Sequence, residues 1–356
     1  MKILVIKFRH IGDVLLSTPL IESLSLTYPE ATIDVAVNDY CESVVAHNPH
    51  IKKVISYSRK KGQKRGFWKK LTDELKYLSQ FYHQYDLVLN LTEGDRGCLI
   101  TAISGAKARI GFHKKDSFLF RLAGFTAVTP WLEAIHTVKK DLRLLEHLPE
   151  AKESTRVLLG ASEEDQASAR SLVKRYDLGD DFIVIHPVSR GLYKCWHEQR
   201  VASLVDYLMQ QRSKKVLLTA SPDPVEADML EKIARLCESS PVVAAGELNL
   251  PAYRVLVDLA ELYIGIDSAP THIAASTGTP TIALFGSSKP HIWGPWDNQQ
   301  GADYEVRDGV QQSGKNTLIA KMDLSKFEID GYQHPELRID LDVDEVISEV
   351  DRILNN

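Results

Sequence analysis

The sequence predicts an α/β protein of two domains, each a parallel sheet covered by helices on both faces. The length of 356 residues fits about two domains. Short apolar, β-branched runs alternate with helical patterns along the whole chain, as in βαβ units. With 44% hydrophobic and 26% charged residues the composition is that of ordinary globular proteins. Disordered, collagen-like and coiled-coil classes are therefore excluded.

Both halves of the chain carry this alternation. Strands are predicted at residues 3–6, 33–37, 54–57, 87–91, 183–186, 216–219, 242–244, 262–266 and 281–285. Helices are predicted at residues 13–27, 68–82, 163–176, 198–211, 224–237, 251–260, 270–277 and 343–354. The polar stretch 149–155 marks the boundary between two Rossmann-like domains that we expect to face each other across a cleft. In such sheets ligands bind at the carboxyl ends of the strands.

Charge is distributed unevenly between the halves. Residues 1–150 contain 22 Lys and Arg against 16 Asp and Glu, whereas the remainder contains 21 against 32. Ten of the basic residues lie between positions 51 and 76. A solvated surface explains this run, and so does a docking face for an anionic partner such as a phosphorylated lipid headgroup. The sequence leaves both interpretations open.

The loop after the first strand contains Gly12, which allows a tight turn, followed by Asp13 at the start of a helix. It lacks the GxGxxG pattern of dinucleotide-binding folds. Asp13 is either the N-cap of the helix or a carboxylate placed at a strand's carboxyl end as a general base.

Two loops of the second half could hold a phosphorylated ligand. After strand 183–186, Ser189 and backbone amides could cradle a phosphate, with Lys194 as a mobile charge. An ordinary loop, in which Trp196 anchors the next helix, explains the same residues. After strand 216–219, Glu226 could accept hydrogen bonds from ribose hydroxyls or simply serve as an acid in a helix's first turn.

The segment 264–275 is the most informative part of the sequence. A strand ends, small residues make a turn, and a helix begins near Pro270, a residue suited to a first helical position. Free amides of Ser268, Ala269 and Thr271 would then bind a diphosphate without a metal. A capped helix without a ligand is the alternative.

Metal centres and membrane spans are not expected. The 12 histidines show no HxxxH or HExxH pattern, and the four cysteines stand far apart. The acidic run 340–344 is better explained as a helix start. The longest charge-free stretch, 268–288, contains two prolines and many Ser and Thr, which do not suit a bilayer segment. We therefore expect a cytoplasmic protein in a reducing compartment.

Together these segments resemble glycosyltransferase family 9, the bacterial lipopolysaccharide heptosyltransferases of GT-B fold. The resemblance covers nearly the whole chain. It is specific at Lys7…Gly12-Asp13, His186-Pro187…Lys194-Cys195-Trp196, residues 267–272 and the final helix. Lys194-Cys195-Trp196 and residues 293–298 are most similar to the heptosyltransferase III class, which branches the inner core. Arg9-His10-Ile11 and Ala269-Pro270 depart from the pattern of other members.

The resemblance implies a role for each matching residue. Asp13 would be the catalytic base and Lys194 would stabilise the departing diphosphate. The donor-binding residues would be Ser189, Lys194, Glu226, Leu248, Asp267, Ser268, Ala269, Thr271 and His272. The residues expected to bind the acceptor are Lys7, Arg9, His10, Lys60, Lys61, Lys64, Arg65, Arg109 and His113. No metal or other cofactor is expected besides the ADP-heptose donor.

The resemblance also implies an architecture and a reaction. Residues 1–153 would bind the acceptor, residues 154–340 would bind the nucleotide sugar, and a helix at 341–356 would cross back to the first domain. The enzyme would transfer heptose, with inversion, to an inner-core heptose of lipopolysaccharide on lipid A. It would contact the cytoplasmic face of the inner membrane peripherally and bind no nucleic acid. A nucleotide-sugar 2-epimerase of similar fold and a non-catalytic nucleotide-binding protein are the alternatives.

Overall fold

The computed structural model divides into two compact units, Met1–Gly160 and Ala161–Asn356. It describes residues 1–58, 66–92, 94–113, 117–132, 135–286, 288–302, 304–307, 310–321 and 338–355. Lys60, Lys61, Lys64 and Arg65, which we expect to bind the acceptor, lie outside these residues. No helix in the described part of the chain is both long and apolar enough to cross a membrane.

The first unit contains a six-stranded parallel sheet in the order β3-β2-β1-β4-β5-β6. Its strands are β1 Lys2–Lys7, β2 Thr32–Asn38, β3 Lys53–Tyr57, β4 Leu87–Asn90, β5 Ala108–His113 and β6 Ala127–Pro130. Its helices are α1 Ile11–Leu15, α2 Thr18–Thr27, α3 Glu42–Val45, α4 Phe67–Ser79, α5 Asp95–Ile103, α6 Phe118–Ala123 and α7 Thr137–Leu142. β5, β6, α3 and α5–α7 were not predicted from the sequence. The order reverses between β1 and β4, so a ligand is expected near the carboxyl end of β1.

The predicted helix 13–27 is two helices, and Pro19 explains the break. Proline has no amide hydrogen, so it cannot bond the Leu15 carbonyl as a helical residue in its place would. The hydroxyl of Thr18 donates to that carbonyl at 2.7 Å, and the hydroxyl of Ser17 donates to Val14 O at 2.8 Å. The chain therefore turns between α1 and α2 with its carbonyls satisfied.

The second unit contains an eight-stranded sheet in the order β12-β13-β14-β11-β10-β7-β8-β9. Its strands are β7 Ile183–His186, β8 Val216–Ala220, β9 Val242–Ala245, β10 Leu262–Ile266, β11 Thr281–Phe285, β12 Glu305–Arg307, β13 Val310–Ser313 and β14 Asn316–Ala320. The five predicted strands are β7 to β11. β12–β14, which pair antiparallel with one another at the sheet edge, were not predicted from the sequence. β12 and β13 are short and rich in polar residues, and β14 has only three consecutive apolar residues.

Helices cover this second sheet. They are α8 Glu163–Arg175, α9 Glu198–Asp206, α10 Pro224–Leu236, α11 Leu250–Asp258, α12 Ala269–Ala275, α13 Pro290–Trp293 and α14 Val343–Leu354. The order of the parallel strands reverses between β7 and β10, as it does between β1 and β4 in the first unit. The loops after β7, β8, β9 and β10 therefore lie along one edge of the sheet.

The final helix α14 packs in the core of the second unit, with Val346 and Val350 fully buried. Asp342 is its N-cap and forms a reciprocal capping box with Glu345. The acidic run 340–344 is therefore a helix start, as predicted. The expected packing of this helix on the first domain stays a prediction.

Candidate active site

Asp13 lies in the first turn of α1, immediately after the central strand β1. His10, which is exposed, is the N-cap of α1. The interpretation of Asp13 as the N-cap is therefore wrong, because Asp13 is already the third helical residue. Its side chain is 14% exposed, and Oδ1 lies 3.9 Å from Nε of Arg9. The Asp13 carboxylate does not cap the helix, and it is partly open to solvent near the carboxyl end of a strand. Both properties suit a general base.

Lys7, the last residue of β1, is buried. Its Nζ donates to Oδ2 of Asp141 in α7 at 2.6 Å, and both side chains are at most 3% exposed. Burial raises the pKa of the Asp141 carboxyl, while the Lys7 ammonium opposes this shift. Lys7 thus forms its ion pair within the first unit. The expected contact of Lys7 with the acceptor stays a prediction.

Lys140 is the neighbour of this pair and is only 6% exposed. Its Nζ lies 3.9 Å from the centre of the Trp131 ring, a cation–π contact. Burial lowers the pKa of Lys140, and the carboxylates of Asp141 and Asp13 partly oppose this effect. Opposite charges thus alternate around the carboxyl end of β1. Lys140 and Asp141 were not among the residues predicted from the sequence.

Two other residues expected to bind the acceptor lie on β5. Arg109 is the second residue of this strand and His113 is the last. Because β5 is parallel to β1, only His113 lies at the same sheet edge as Lys7. His113 is exposed, and its ring packs edge-on against Phe120 with centroids 5.1 Å apart. The acceptor roles of both residues stay predictions.

In the second unit, Lys194 and Asp267 form an ion pair at the point where the strand order reverses. The Nζ–Oδ2 distance is 2.7 Å. Asp267 follows β10 and is buried, whereas Lys194 lies in the loop after β7 with 26% of its side chain exposed. The structure thus joins two residues that are 73 positions apart and were both expected at the donor. About a quarter of the Lys194 side chain therefore remains open to solvent beside a buried carboxylate.

Glu226 joins two neighbouring loops at this edge. Its Oε1 accepts from the amide of Arg190 at 3.0 Å, and its Oε2 accepts from the amide of Ser221 at 3.1 Å. The carboxylate is 7% exposed and lies in the first turn of α10, where Asp223 is the N-cap. Each carboxylate oxygen retains acceptor capacity, so the expected ribose contact stays a prediction.

The remaining donor residues lie in loops along the same edge of the sheet. The hydroxyl of Ser189 accepts from the Gly191 amide at 3.3 Å, and Leu248 is half-buried in the loop after β9. Ser268 is the N-cap of α12. One expectation is corrected: the amide of Thr271 is not free, because it donates to Ser268 O at 3.1 Å. Among the described residues, no group of three or more His, Cys, Asp or Glu could hold a metal ion.

Comparison with known proteins identifies the family. The sequence profile of glycosyltransferase family 9 (heptosyltransferase) matches residues 76–316. The chain is 30% identical to lipopolysaccharide heptosyltransferase 3 of Escherichia coli over 87% of this chain and 92% of that protein. It is 32% identical to the protein of the same name from strain K12, over 81% and 83%. These relatives do not favour the epimerase alternative.

Solved structures confirm the fold. The family 9 glycosyltransferase of Veillonella parvula aligns with a TM-score of 0.78 at 23% identity, covering 99% of this chain and 97% of that one. The Escherichia coli heptosyltransferase WaaC with ADP aligns at 0.72 and 15% identity, covering 99% and 100%. The two-domain GT-B fold that the sequence predicts is therefore confirmed. The chain belongs to glycosyltransferase family 9, the heptosyltransferases.

Proposed function

We propose that this protein transfers heptose from ADP-heptose to a heptose of the lipopolysaccharide inner core, with inversion at the anomeric carbon. Family membership and the 30–32% identity to lipopolysaccharide heptosyltransferase 3 support this function. The observation that carries it is the partly exposed Lys194 beside buried Asp267, at the edge where a doubly wound sheet binds its ligand.

Lys194 has the position and the chemistry to bind a diphosphate. A lysine ammonium acts as a compact, mobile charge on phosphate oxygens. Because negative charge grows on the diphosphate as ADP departs, the ammonium stabilises the transition state more than the ground state. Asp267 holds Lys194 in place before the donor arrives.

Asp13 acts as the general base. Its carboxylate takes the proton of the acceptor hydroxyl while that oxygen forms the new bond to the anomeric carbon. The bond from this carbon to the diphosphate breaks, and ADP leaves with the electron pair. Attack on the face opposite ADP inverts the configuration. Nε of Arg9 lies 3.9 Å from Oδ1 of Asp13, so a positive charge stands beside the proposed base.

A single assay tests this function: release of ADP from ADP-heptose with and without truncated lipopolysaccharide. The transferase requires the acceptor, so ADP should appear only in its presence, with the lipopolysaccharide gaining one heptose mass. Conversion of the donor without acceptor would indicate an epimerase or a hydrolase. Binding without turnover in either mixture would indicate a nucleotide-binding protein.

We also propose that the reaction needs no metal ion, since Lys194 can supply the charge that a divalent ion supplies in other transferases. Turnover in excess EDTA should match turnover in buffer. Loss of activity that magnesium or manganese restores would contradict this proposal.

The proposed acceptor is anionic and lies on a membrane, and the basic excess of residues 51–76 suits it. The affinity for lipopolysaccharide, but not for ADP-heptose, should fall steeply between low and physiological salt. Neutralising Lys60, Lys61, Lys64 and Arg65 together should reproduce this loss at low salt. The control neutralises four basic residues of the second unit, namely Lys174, Lys215, Lys232 and Arg235. Equal acceptor affinity in both variants would show that the four basic residues between positions 60 and 65 are a solvated surface.

The exposed apolar side chains of helix α4 support the proposed membrane contact. Trp68, Leu71 and Leu75 are 76%, 39% and 58% exposed. Their spacing of three and four residues places them on one stripe of the helix. Tyr77 and Leu78 pack on the core of the unit instead. Lysines beside an exposed apolar stripe are typical of helices that lie on anionic lipid surfaces.

Co-sedimentation with vesicles containing phosphatidylglycerol tests this surface without any acceptor. Trp68→Ser with Leu75→Ser should reduce the bound fraction several-fold. The matched control is Val225→Ser, which removes an exposed apolar side chain from the second unit (57% exposed). Equal binding of both variants would contradict the assignment.

A further inference from the structure

A short segment near the end of the chain, residues 338–341, lies against the loop that carries Lys194. This segment, called the strap below, precedes α14. Ile339 and Leu341 are each 1% exposed and belong to the hydrophobic core of the second unit. Neither the general base nor the Lys194–Asp267 pair includes any residue of the strap.

The strap is bonded to the two residues that follow Lys194. The amide of Ile339 donates to the carbonyl of Cys195 at 3.2 Å, and Ile339 forms a parallel β-bridge with Trp196. The indole Nε1–H of Trp196 donates to the carbonyl of Leu341 at 2.9 Å, in a buried bond between residues 145 positions apart. Main-chain and side-chain bonds therefore both attach the strap to this loop.

Charged side chains hold the strap at both ends. Arg338 pairs with Glu198 in the first turn of α9, and Glu198 also pairs with Lys232 of α10 at 3.1 Å. Arg200 donates to the carbonyl of Leu341 at 2.6 Å. Burial raises the pKa of Glu198, but hydrogen bonds from its own backbone, Arg338 and Lys232 outweigh this effect and lower the pKa to about 2. The carboxylate that anchors the strap is therefore charged at neutral pH.

The loop that contains Lys194 is attached to other elements on both sides of this residue. The amide of Arg190, before it, donates to Glu226 of α10 at 3.0 Å. The carbonyl of Cys195, directly after it, accepts from the strap. Within the loop the amide of Lys194 donates to the carbonyl of Gly191 at 2.8 Å. The strap thus fixes the main chain next to the lysine whose ammonium pairs with a carboxylate at the strand ends.

We propose that Trp196 and Arg338 are positioning residues, which hold the strap against the loop after β7 and thereby keep Lys194 in place for the diphosphate of the donor. This inference rests on the proposed function, because it needs ADP to bind at this edge. A main chain that is already ordered reduces the entropy lost when Lys194 binds an anion. Neither side chain needs to touch the donor, since the effect passes through the main chain of Cys195.

Hydrogen exchange of peptides covering residues 189–196, followed by mass spectrometry, tests the attachment itself. Trp196→Phe removes the indole N–H and Arg338→Met removes the charge at the start of the strap, so each should speed exchange in this loop several-fold. Arg338 is a second test on a side chain that is 22% exposed, which leaves the core packing of Trp196 intact. The control Tyr207→Phe removes a bond of 2.7 Å to Asp351 of α14, outside the strap. Wild-type exchange of the loop in both strap variants would overturn the proposal.

Calorimetric titration with ADP tests the positioning role. Trp196→Phe and Arg338→Met should each weaken ADP binding by about fivefold, the contribution of about one hydrogen bond. Arg338→Lys, which keeps the charge, and Tyr207→Phe should bind ADP as the wild type does. In a Lys194→Ala background the two strap variants should lose little further affinity, because the strap acts through Lys194. An equal loss in both backgrounds would indicate a merely structural role and would overturn the proposal.

Failure of this inference and failure of the proposed function give different results. If only the inference is wrong, the wild type binds ADP, and both strap variants bind it equally well or lose affinity regardless of Lys194. If the proposed function is wrong, the wild type itself does not bind ADP.

Discussion

The two units contain closely similar Lys–Asp pairs that differ in exposure. Lys7–Asp141 and Lys194–Asp267 have Nζ–Oδ2 distances of 2.6 and 2.7 Å. Each lysine lies at or just beyond the carboxyl end of the strand beside which its sheet reverses order. The Lys7 side chain is 3% exposed, whereas that of Lys194 is 26% exposed.

We interpret this difference in exposure as the difference between an internal support and a proposed ligand site. A buried pair has lost its hydration, so either charge becomes costly once its partner is removed. A partly exposed lysine remains hydrated and can exchange its carboxylate for the phosphate of a ligand. We therefore expect the first pair to determine stability near Asp13, and the second to determine affinity for ADP.

The largest effect on stability is expected for Lys7→Met. It leaves Asp141 buried without its ion-pair partner and should destabilise the region around β1 by about 3 kcal/mol. Hydrogen exchange of the β1 amides, followed by mass spectrometry, measures this loss. The control Lys53→Met removes an exposed lysine from the same sheet. Equal protection of β1 in both variants would show that the buried pair contributes nothing.

The next effect concerns ADP. Lys194→Ala should weaken ADP binding by about 1.5–3 kcal/mol, the range for hydrogen bonds to charged groups, and should lower turnover as well. The control Lys215→Ala breaks an exposed pair with Asp177 in the same unit. If calorimetry gives the same ADP affinity for wild type and Lys194→Ala, the lysine does not hold the diphosphate.

The smallest net effect is expected for a double variant of the first pair. Comparison with the double variant of the second pair distinguishes the roles of the two ion pairs. Adding Asp141→Leu to Lys7→Met removes both buried charges and should recover most of the lost protection. Adding Asp267→Asn to Lys194→Ala should not recover ADP binding, because the ligand itself has lost its partner. Recovery of ADP affinity in the second double variant would mean that Lys194 acts only by neutralising Asp267.

Local patterns in the sequence predicted much of the fold because strands such as 262–266 are continuous apolar runs that end in small residues. Pro270 likewise indicated a helix start, and α12 begins one residue before it. The break at Pro19 was missed because the leucines on either side keep a helical spacing across it.

The contacts around the site could not be predicted in this way. Lys7 and Asp141 are 134 positions apart, and no local pattern relates them. Lys194 and Asp267 are likewise 73 positions apart. The motif residues could be predicted because they follow strand ends. The residues that pair with them lie on other elements, and no local pattern indicates them.

The central claim is that Asp13 is the base of heptose transfer, and the isosteric variant Asp13→Asn tests it most directly. Turnover of ADP-heptose with truncated lipopolysaccharide should fall by about 10²-fold or more, the usual contribution of a general base. ADP affinity, measured in parallel, should stay at the wild-type value, as should both quantities in the control Asp39→Asn, an exposed acid of the same unit. Turnover of Asp13→Asn within about threefold of wild type would contradict the account.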